Sequence, residues 1–156
     1  MFNRAPAEGY NGHMPSTPRP NAAGLLGIHA ESISELDRVV QRGLPKASLE
    51  RLYRYLHLSS RSMAWSEFQQ MIVPRATWKR REKLLSALES AKIERLARVV
   101  AMAIQTWDGN QADAREWLWT PHPELDNRPP VLIAMTELGA RRVEQILASI
   151  AYGLPV

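Results

Sequence analysis

The sequence predicts an all-α fold, and three observations support this prediction. Apolar residues recur in several segments at spacings of i, i+3, i+4 and i+7, the period of an amphipathic helix. Strand-like alternation of apolar and polar residues is missing, as are hairpin turns between apolar segments. Hydrophobic residues make up 45% of the 156 residues, so these helices can bury a core.

The N-terminal part combines an arm with a first helix. Residues 1 to about 28 contain four prolines and four glycines without any period, which predicts a flexible arm. Order is expected to begin at Ser32, because Ser32 and Glu35 match the S-x-x-E capping box. The run Gly43-Leu44-Pro45 ends this helix. Its apolar stripe consists of Ile33, Leu36, Val39 and Val40.

Three further helices are predicted before residue 84. The second has the apolar stripe Leu49, Leu52, Tyr53 and Leu56. The third runs from about Ser62 to Met71 and offers Met63, Phe68 and Met71 for burial. A short turn, Ile72-Val73-Pro74, separates it from the fourth helix, PRATWKRREK, which carries five basic side chains and one tryptophan.

The longest predicted helix runs from about Ser86 to Trp107, with the apolar stripe Leu88, Ile93, Leu96, Val100, Ala103 and Trp107. Its stretch VVAMAI is apolar on nearly every side, so it should be buried all round and form the centre of the fold. Glu94 is expected to pair with Arg98, one turn later. Shorter helices follow at about Gln111–Trp119 and from Pro130. A last helix shows the stripe Val143, Ile146, Leu147 and Ile150.

Charge is distributed unevenly along the chain. Residues 75–98 carry 8 basic and 3 acidic side chains, whereas residues 99–156 carry 4 basic and 7 acidic ones. This asymmetry favours a polyanionic partner for the middle of the chain and a different partner, or none, for its end. The absence of cysteine, of a membrane-length apolar run and of a signal-peptide core leads us to expect a cytoplasmic protein.

Enzyme signatures are missing from the sequence. It has no G-x-S-x-G motif, no Gly-rich phosphate loop and no H-E-x-x-H motif, so neither catalysis nor a cofactor is expected. His122, Glu124 and Asp126 alternate in a proline-restricted loop, but a single imidazole makes a plain surface loop a better interpretation than a metal site.

The stretch WSEFQQMIVPRATWKRREK has the layout of a helix-turn-helix. Two short helices flank a tight turn, and the second helix is polar and basic, as a helix entering the major groove must be. From spacing alone, a solvated basic face remains an equal alternative. Trp78 is interpreted as the apolar anchor of this helix rather than as a base-stacking residue. The candidate DNA-binding residues are Arg75, Thr77, Lys79, Arg80, Arg81 and Lys83.

The C-terminus reads IAYGLPV and carries almost no polar side chain. An apolar end of this kind is expected to dock, either on the protein's own core or in a cleft of a partner. The residues alone leave both possibilities open.

Several motifs follow one another along the chain, from T-x-x-R-R at Thr77 to Arg81 through Trp117-Leu118 to the closing Tyr152-Gly153. Between them lie the segment ES…RLARV over residues 89–99 and a proline nine residues before a glycine, Pro130 and Gly139. In these motifs and their order, the chain from about residue 44 to its end resembles the Xre/MbcA/ParS antitoxin family. Ile72 and Asn127 stand where the family often has glycine. Asparagine tolerates the left-handed region, whereas the turn at Ile72 must avoid positive φ.

The resemblance implies a non-enzymatic antitoxin of a type II toxin–antitoxin system. Residues 29–83 would form a helix-turn-helix-like DNA-binding region and residues 84–156 a toxin-binding helical domain. The partners implied are a RES-domain toxin, which consumes NAD, and operator DNA through which the operon is repressed. Because helix-turn-helix proteins read paired half-sites, a homodimer within the toxin–antitoxin assembly is expected.

The resemblance also suggests roles for particular residues. Thr77, Arg80 and Arg81 take the recognition-helix role, and the tail faces the active cleft of the toxin. The candidate toxin-binding residues are Arg141, Arg142, Glu144, Ile150, Tyr152, Gly153, Leu154, Pro155 and Val156. The main alternative is a stand-alone dimeric helix-turn-helix regulator without a toxin, and an all-α enzyme is the weakest reading.

Overall fold

The computed structural model describes residues 20–155 and confirms an all-α fold. Within that range there are nine α-helices and one 3-10 turn, Pro123–Leu125, and backbone bridges are limited to the isolated pairs Pro45–Leu84 and His122–Arg128. The helices are α1 (Ala22–Leu26), α2 (Ile33–Arg42), α3 (Lys46–Leu56), α4 (Trp65–Ile72), α5 (Arg75–Arg80), α6 (Ala87–Thr106), α7 (Gln111–Trp119), α8 (Pro130–Ile133) and α9 (Glu137–Ala151).

Helix α6 lies at the centre of the molecule, as its apolar sequence predicts. It begins at a capping box in which Ser86 Oγ accepts from the Glu89 N–H and Glu89 Oε2 accepts from the Ser86 N–H. α1, α2, α4, α7, α8 and α9 all pack against it. The run from Val99 to Ile104 is buried except for Met102, which is half-buried. Neighbouring helices thus cover the apolar residues on the different sides of α6.

Two residues assigned to apolar stripes are not part of the core. Ile33 in α2 is 88% exposed and Leu88 in α6 is 86% exposed. Both lie in the first turn of their helix, whereas the buried residues of each helix lie further along it. The helical period was correct for these residues, but a period does not say where along a helix the neighbouring helices end.

The prediction of an arm up to residue 28 is wrong for its last part. Ala22–Leu26 form α1, which begins at Asn21, whose side chain accepts from the Gly24 N–H, and ends at Gly27 with φ 68°. α1 packs against α3 and α6, and Leu26 is buried. Five residues are too few for a periodic signal, so tertiary packing determines this helix. The arm predicted over residues 1–19 lies outside the described residues.

Two helix N-termini differ from the prediction, one in its capping and one in its position. Ser32 Oγ accepts from the Glu35 N–H as predicted, but the Glu35 carboxylate accepts from the Glu31 N–H instead of completing the box at Ser32. The third helix begins at Trp65 rather than at about Ser62. Its Met71 is exposed, contrary to the prediction, because the buried face consists of Phe68, Gln69 and Ile72.

The C-terminal elements follow the predicted order closely. Trp119 is buried and its Nε1 donates to the Leu56 carbonyl at 2.9 Å, which ties α7 to α3. α9 buries Val143, Ile146 and Leu147 and half-buries Ile150, so its predicted stripe is confirmed. None of the helices described is both long and apolar enough to cross a bilayer.

Candidate functional site

The α4–α5 unit has the tight turn that the sequence predicts. Ile72 is the last residue of α4, and Val73 (φ −132°) and Pro74 (φ −53°) lead directly into α5. Ile72 is not among the described residues with positive φ, so the turn avoids the left-handed region as expected. Val73 is buried, and its carbonyl accepts from Gln69 Nε2, which holds the turn against α4.

One face of α5 is open to solvent and basic. The helix buries none of its six residues, and Arg75, Lys79 and Arg80 are exposed. Thr77 is half-buried, and its Oγ1 accepts from Arg80 Nη2 at 3.4 Å. These four residues are therefore brought together on a short, accessible helix.

Trp78 lies on the opposite, inward side of α5. Its ring packs edge-on against Trp65, with 5.6 Å between ring centroids, and Trp65 in turn packs against Tyr53 at 5.2 Å. The indole is half-buried in this aromatic row. This placement matches the interpretation of Trp78 as the anchor of the helix.

Arg81 and Lys83 follow the helix and have different surroundings from its exposed face. Arg81 Nη2 donates to Glu89 Oε1 at 3.2 Å, while its buried Nε has no partner among the described residues. Burial raises the pKa of Glu89, but the Ser86 N–H and the Arg81 guanidinium outweigh this effect, so the net pKa of the carboxyl is lowered. The Lys83 side chain is exposed, and its carbonyl accepts from the Lys46 N–H at 3.1 Å.

The C-terminal tail is ordered but uncovered up to Pro155. The Leu154 N–H donates to the Ser149 carbonyl and the Gly153 N–H to the Ile150 carbonyl, which together form a Schellman motif with Gly153 at φ 66°. This cap terminates α9 at a defined place. Tyr152 is 81% exposed and Leu154 57% exposed, so these side chains do not dock on the protein's own core. Val156 lies outside the described residues.

The polar candidates on α9 form ion pairs within the protein. Arg142 donates to Asp126 at 3.1 Å and to the Glu124 carbonyl at 2.8 Å, which fixes the loop before α8. Glu144 accepts from Arg98 on α6 at 2.9 Å. Arg141 is more exposed, 3.5 Å from Glu137 on its own helix.

Arg98 completes a charge cluster between α6 and α9. It also contacts Glu94 at 3.4 Å, the pair expected from the sequence. Burial raises the pKa of Glu94, because the nearby arginines offset the loss of solvation only in part. The cluster joins the two long helices, since a second pair connects Arg95 with Glu137 at 2.8 Å.

The loop that carries His122 is shaped by a local hydrogen bond and by two residues with positive φ. His122 Nδ1 accepts from the Glu124 N–H, and Asp126 and Asn127 adopt positive φ of 58° and 54°. Asn127 thus takes the left-handed conformation anticipated for a position where glycine is common. No group of three potential metal ligands occurs in the portion of the chain that the structure describes.

Two residues, one of them in contact with α5, were not anticipated from the sequence. Lys46 reaches from α3 to the carbonyl groups at the end of α5, and Leu138 is an exposed leucine in the first turn of α9. The signal for Lys46 was its position: a cation in the first turn of a helix is unfavourably placed unless it serves another element. No comparable signal marks Leu138.

Two protein-family models match the chain in consecutive segments. Residues 35–98 match the antitoxin Xre-like helix-turn-helix domain. Residues 102–153 match the antitoxin Xre/MbcA/ParS C-terminal toxin-binding domain. The first match contains the α4–α5 unit, and the second contains α7 to α9 and the start of the tail. No curated protein was found to match the chain.

Proposed function

Because the chain belongs to the Xre-type antitoxins and contains both their helix-turn-helix and their toxin-binding domains, we propose that it neutralises a RES-domain toxin and represses its own operon. The family is one of antitoxins and not of enzymes. The proposed action is therefore occlusion: the end of α9 and the tail cover the cleft in which the toxin consumes NAD.

A single observation carries the toxin-binding half of this proposal. The tail combines a hydrogen-bonded cap with exposed apolar side chains, Tyr152 and Leu154. Exposed apolar groups on an ordered segment are characteristic of a binding surface, because in the free protein no burial of these groups offsets the entropic cost of ordering the segment. Tyrosine suits such a contact because it buries a large ring and keeps a polar tip for one hydrogen bond.

Within the toxin-binding set, we propose a division of labour. Ile150, Tyr152, Gly153, Leu154, Pro155 and Val156 supply the apolar contact, and Arg141 is the most exposed of the three polar candidates on α9. Arg142 and Glu144 act indirectly, because their ion pairs with Asp126 and Arg98 hold α9 in place. Removing either should affect toxin binding less than truncating the tail.

Co-expression with the toxin encoded next to the antitoxin gene tests this half. Tyr152→Ala with Leu154→Ala should abolish rescue of growth and weaken toxin binding by a factor of about 100 or more, as expected when two central anchors are lost. Leu58→Ala is the matched control, because Leu58 is similarly exposed (64%) but follows α3 in the helix-turn-helix segment. If deletion of residues 151–156 leaves rescue and binding intact, the tail does not neutralise the toxin.

For the DNA-binding half, we propose that α5 is inserted into the major groove of the operator. Arg75, Lys79 and Arg80 are exposed, so their guanidinium and ammonium groups can reach guanine edges and phosphates, and the half-buried Thr77 lies on the same helix. A homodimer would present two such helices to paired half-sites. Arg81 and Lys83 lie just beyond the helix, so we assign them a role at the backbone of the DNA or in fixing α5.

A gel-shift titration with the operon's promoter tests this half. Arg75→Ala with Arg80→Ala should lower operator affinity and reduce the slope of log K against log salt by about one to two units. Lys92→Ala on α6 controls for the loss of a positive charge elsewhere. A double variant that binds the promoter as tightly as the unmodified protein would show that α5 is not the helix that recognises the operator.

A further inference from the structure

α5, the proposed DNA-recognition helix, cannot be stable by itself. α5 has six residues, Pro74 at its N-cap provides no side-chain hydrogen bond, and it buries none of its side chains. Isolated helices of this length do not persist in water, because nucleation costs more than so few hydrogen bonds return. The orientation of α5 therefore depends on contacts from other elements.

Lys46 provides the polar part of that support. Its Nζ donates to the Trp78 carbonyl at 2.9 Å and to the Arg81 carbonyl at 3.1 Å. The same ammonium lies 4.5 Å from the centroid of the Trp78 ring, in cation–π geometry. The carbonyl groups at the end of a helix lack partners within the helix and carry the negative end of its dipole, so a cation is stabilising there.

The location of Lys46 on its own helix supports this reading. It is the first residue of α3, whose first turn contains no acidic side chain. A cation at this end opposes the dipole of α3, so the position is unfavourable for α3 itself. The interaction with α5 accounts for a lysine at a position where its own helix would be better served by an acidic or neutral residue.

The backbone around Lys46 fixes it at the correct distance. The Lys46 N–H donates to the Lys83 carbonyl at 3.1 Å, and the Leu85 N–H donates to the Leu44 carbonyl at 2.8 Å. A Cβ at Gly43 would lie 2.2 Å from the Leu85 carbonyl oxygen, so glycine permits this close approach. The segment before α3 and the segment after α5 are thus paired through their backbones, and the Lys46 side chain connects this pair of segments to α5.

We propose that Lys46 is a positioning residue for DNA recognition, which holds α5 in the orientation that specific binding requires. This inference rests on the proposed DNA-binding function of α5. The ammonium is half-buried, and two carbonyls and an aromatic face already surround it, so it acts on the DNA through α5 and not by contacting a phosphate. A loss of Lys46 should therefore reduce discrimination between sequences more than it reduces general affinity for DNA.

The first measurement needs no DNA. Amide hydrogen exchange by NMR in the full chain compares Lys46→Met, Lys46→Arg and the control Lys92→Met, which removes one lysine from α6. In Lys46→Met, the Trp78 and Arg81 amides, which bond to the Pro74 and Thr77 carbonyls, should exchange roughly tenfold faster or more. Lys46→Arg should retain slow exchange, because a guanidinium can donate to both carbonyls and stack on the indole.

The second measurement separates positioning from a direct phosphate contact. Binding of the same variants to the operator and to a random duplex is measured across a range of salt concentrations. Lys46→Met should weaken operator binding roughly tenfold, while affinity for random DNA and the salt slope stay close to those of Lys92→Met. Lys46→Arg should restore the operator preference.

Several results would overturn the positioning role. Unchanged exchange at Trp78 and Arg81 in Lys46→Met would show that the lysine does not hold the helix. An equal loss of affinity for operator and random DNA, with a smaller salt slope, would show a phosphate contact instead. If the unmodified protein has no preference for its promoter, the proposed operator function fails; the exchange data then still decide whether Lys46 holds α5.

Discussion

α5 and α9, the two helices proposed to meet partners, are stabilised in different ways. α9 has fifteen residues, buries a continuous face against α6 and α8, and ends in an ordered cap. α5 has six residues, buries none of them, and is held by Trp78, Lys46 and the pairing of the segment that follows it. α9 is held in place by the apolar area that it buries against the core, whereas α5 is held in place by a few single contacts.

This difference predicts how each surface fails. Burial of apolar area is distributed over many atoms, so α9 should tolerate the loss of a surface ion pair but not a change in how closely it packs. A helix held by single contacts should lose its orientation when any one of them is removed. Three substitutions, in order of decreasing expected effect, test this contrast.

The largest effect is expected for Gly139→Ala in α9. A Cβ at Gly139 would lie 1.9 Å from the Ile133 carbonyl oxygen and 2.8 Å from the Ile133 carbonyl carbon, both backbone atoms that cannot turn aside. The first turn of α9 would have to move away from α8, which should cost about 3 kcal/mol of unfolding free energy. Denaturant unfolding measures the loss, and toxin binding should decline with it.

Gly24→Ala in α1 is the control for this substitution. Among the described residues, a Cβ there would meet only the Asn21 side chain, at 3.3 Å, and Gly24 does not have positive φ. Replacing a helical glycine at such a site should leave stability unchanged or raise it by about 0.5 kcal/mol. A Gly139→Ala protein as stable as Gly24→Ala would refute the close-packing account of α9.

An intermediate effect is expected for Trp78→Ala. This change removes the aromatic contact of α5 with Trp65 and the ring beneath Lys46, which should cost about 2 kcal/mol for a half-buried indole. Operator binding should be lost while toxin binding persists. Trp117→Ala, which removes a half-buried indole packed 5.4 Å from Trp107, should destabilise comparably but retain operator preference. Operator preference that survives Trp78→Ala would contradict the anchor role.

The smallest effect is expected for Arg81→Ala, compared with its neighbour Arg80→Ala. Losing the Glu89 ion pair should cost about 1 kcal/mol, whereas Arg80→Ala should leave stability unchanged and affect only DNA binding. The lowered pKa of Glu89 stabilises the fold above the carboxyl's unfolded pKa, and this contribution is lost as pH falls through the folded pKa.

A pH titration of Arg81→Ala and Arg80→Ala tests whether Arg81 stabilises the fold through its charge. The Glu89 pKa, followed by NMR, should rise in Arg81→Ala and stay constant in Arg80→Ala. The stability difference between Arg81→Ala and the unmodified protein should shrink in acid, where Glu89 is protonated in both. A difference that persists below the folded pKa of Glu89 would mean that Arg81 stabilises through packing rather than charge.

Sequence patterns predicted the long elements well. The 3.6-residue period located α2, α3, α6 and α9, and the Glu94–Arg98 pair occurs where the i, i+4 spacing predicts it. The short elements were harder, because α1 and the true start of α4 depend on neighbours distant in sequence. Ile33 and Leu88 illustrate the same limit, since periodicity identifies a face of a helix but not the length of it that is covered.

At the candidate surfaces, too, some features follow from local sequence and others only from tertiary contacts. The sequence by itself determined the all-α class, the basic character of α5, the apolar tail and the family, since these depend on residue identity and near-neighbour spacing. Only the tertiary structure decided that Trp78 faces inward, that Arg81 pairs with Glu89, that Lys46 caps a helix 32 residues away and that Gly139 is a packing position. Lys46 and Trp78 lie far apart in the chain, and the Arg81–Glu89 and Gly139–Ile133 contacts each connect two different elements, so no periodic pattern within one helix encodes them.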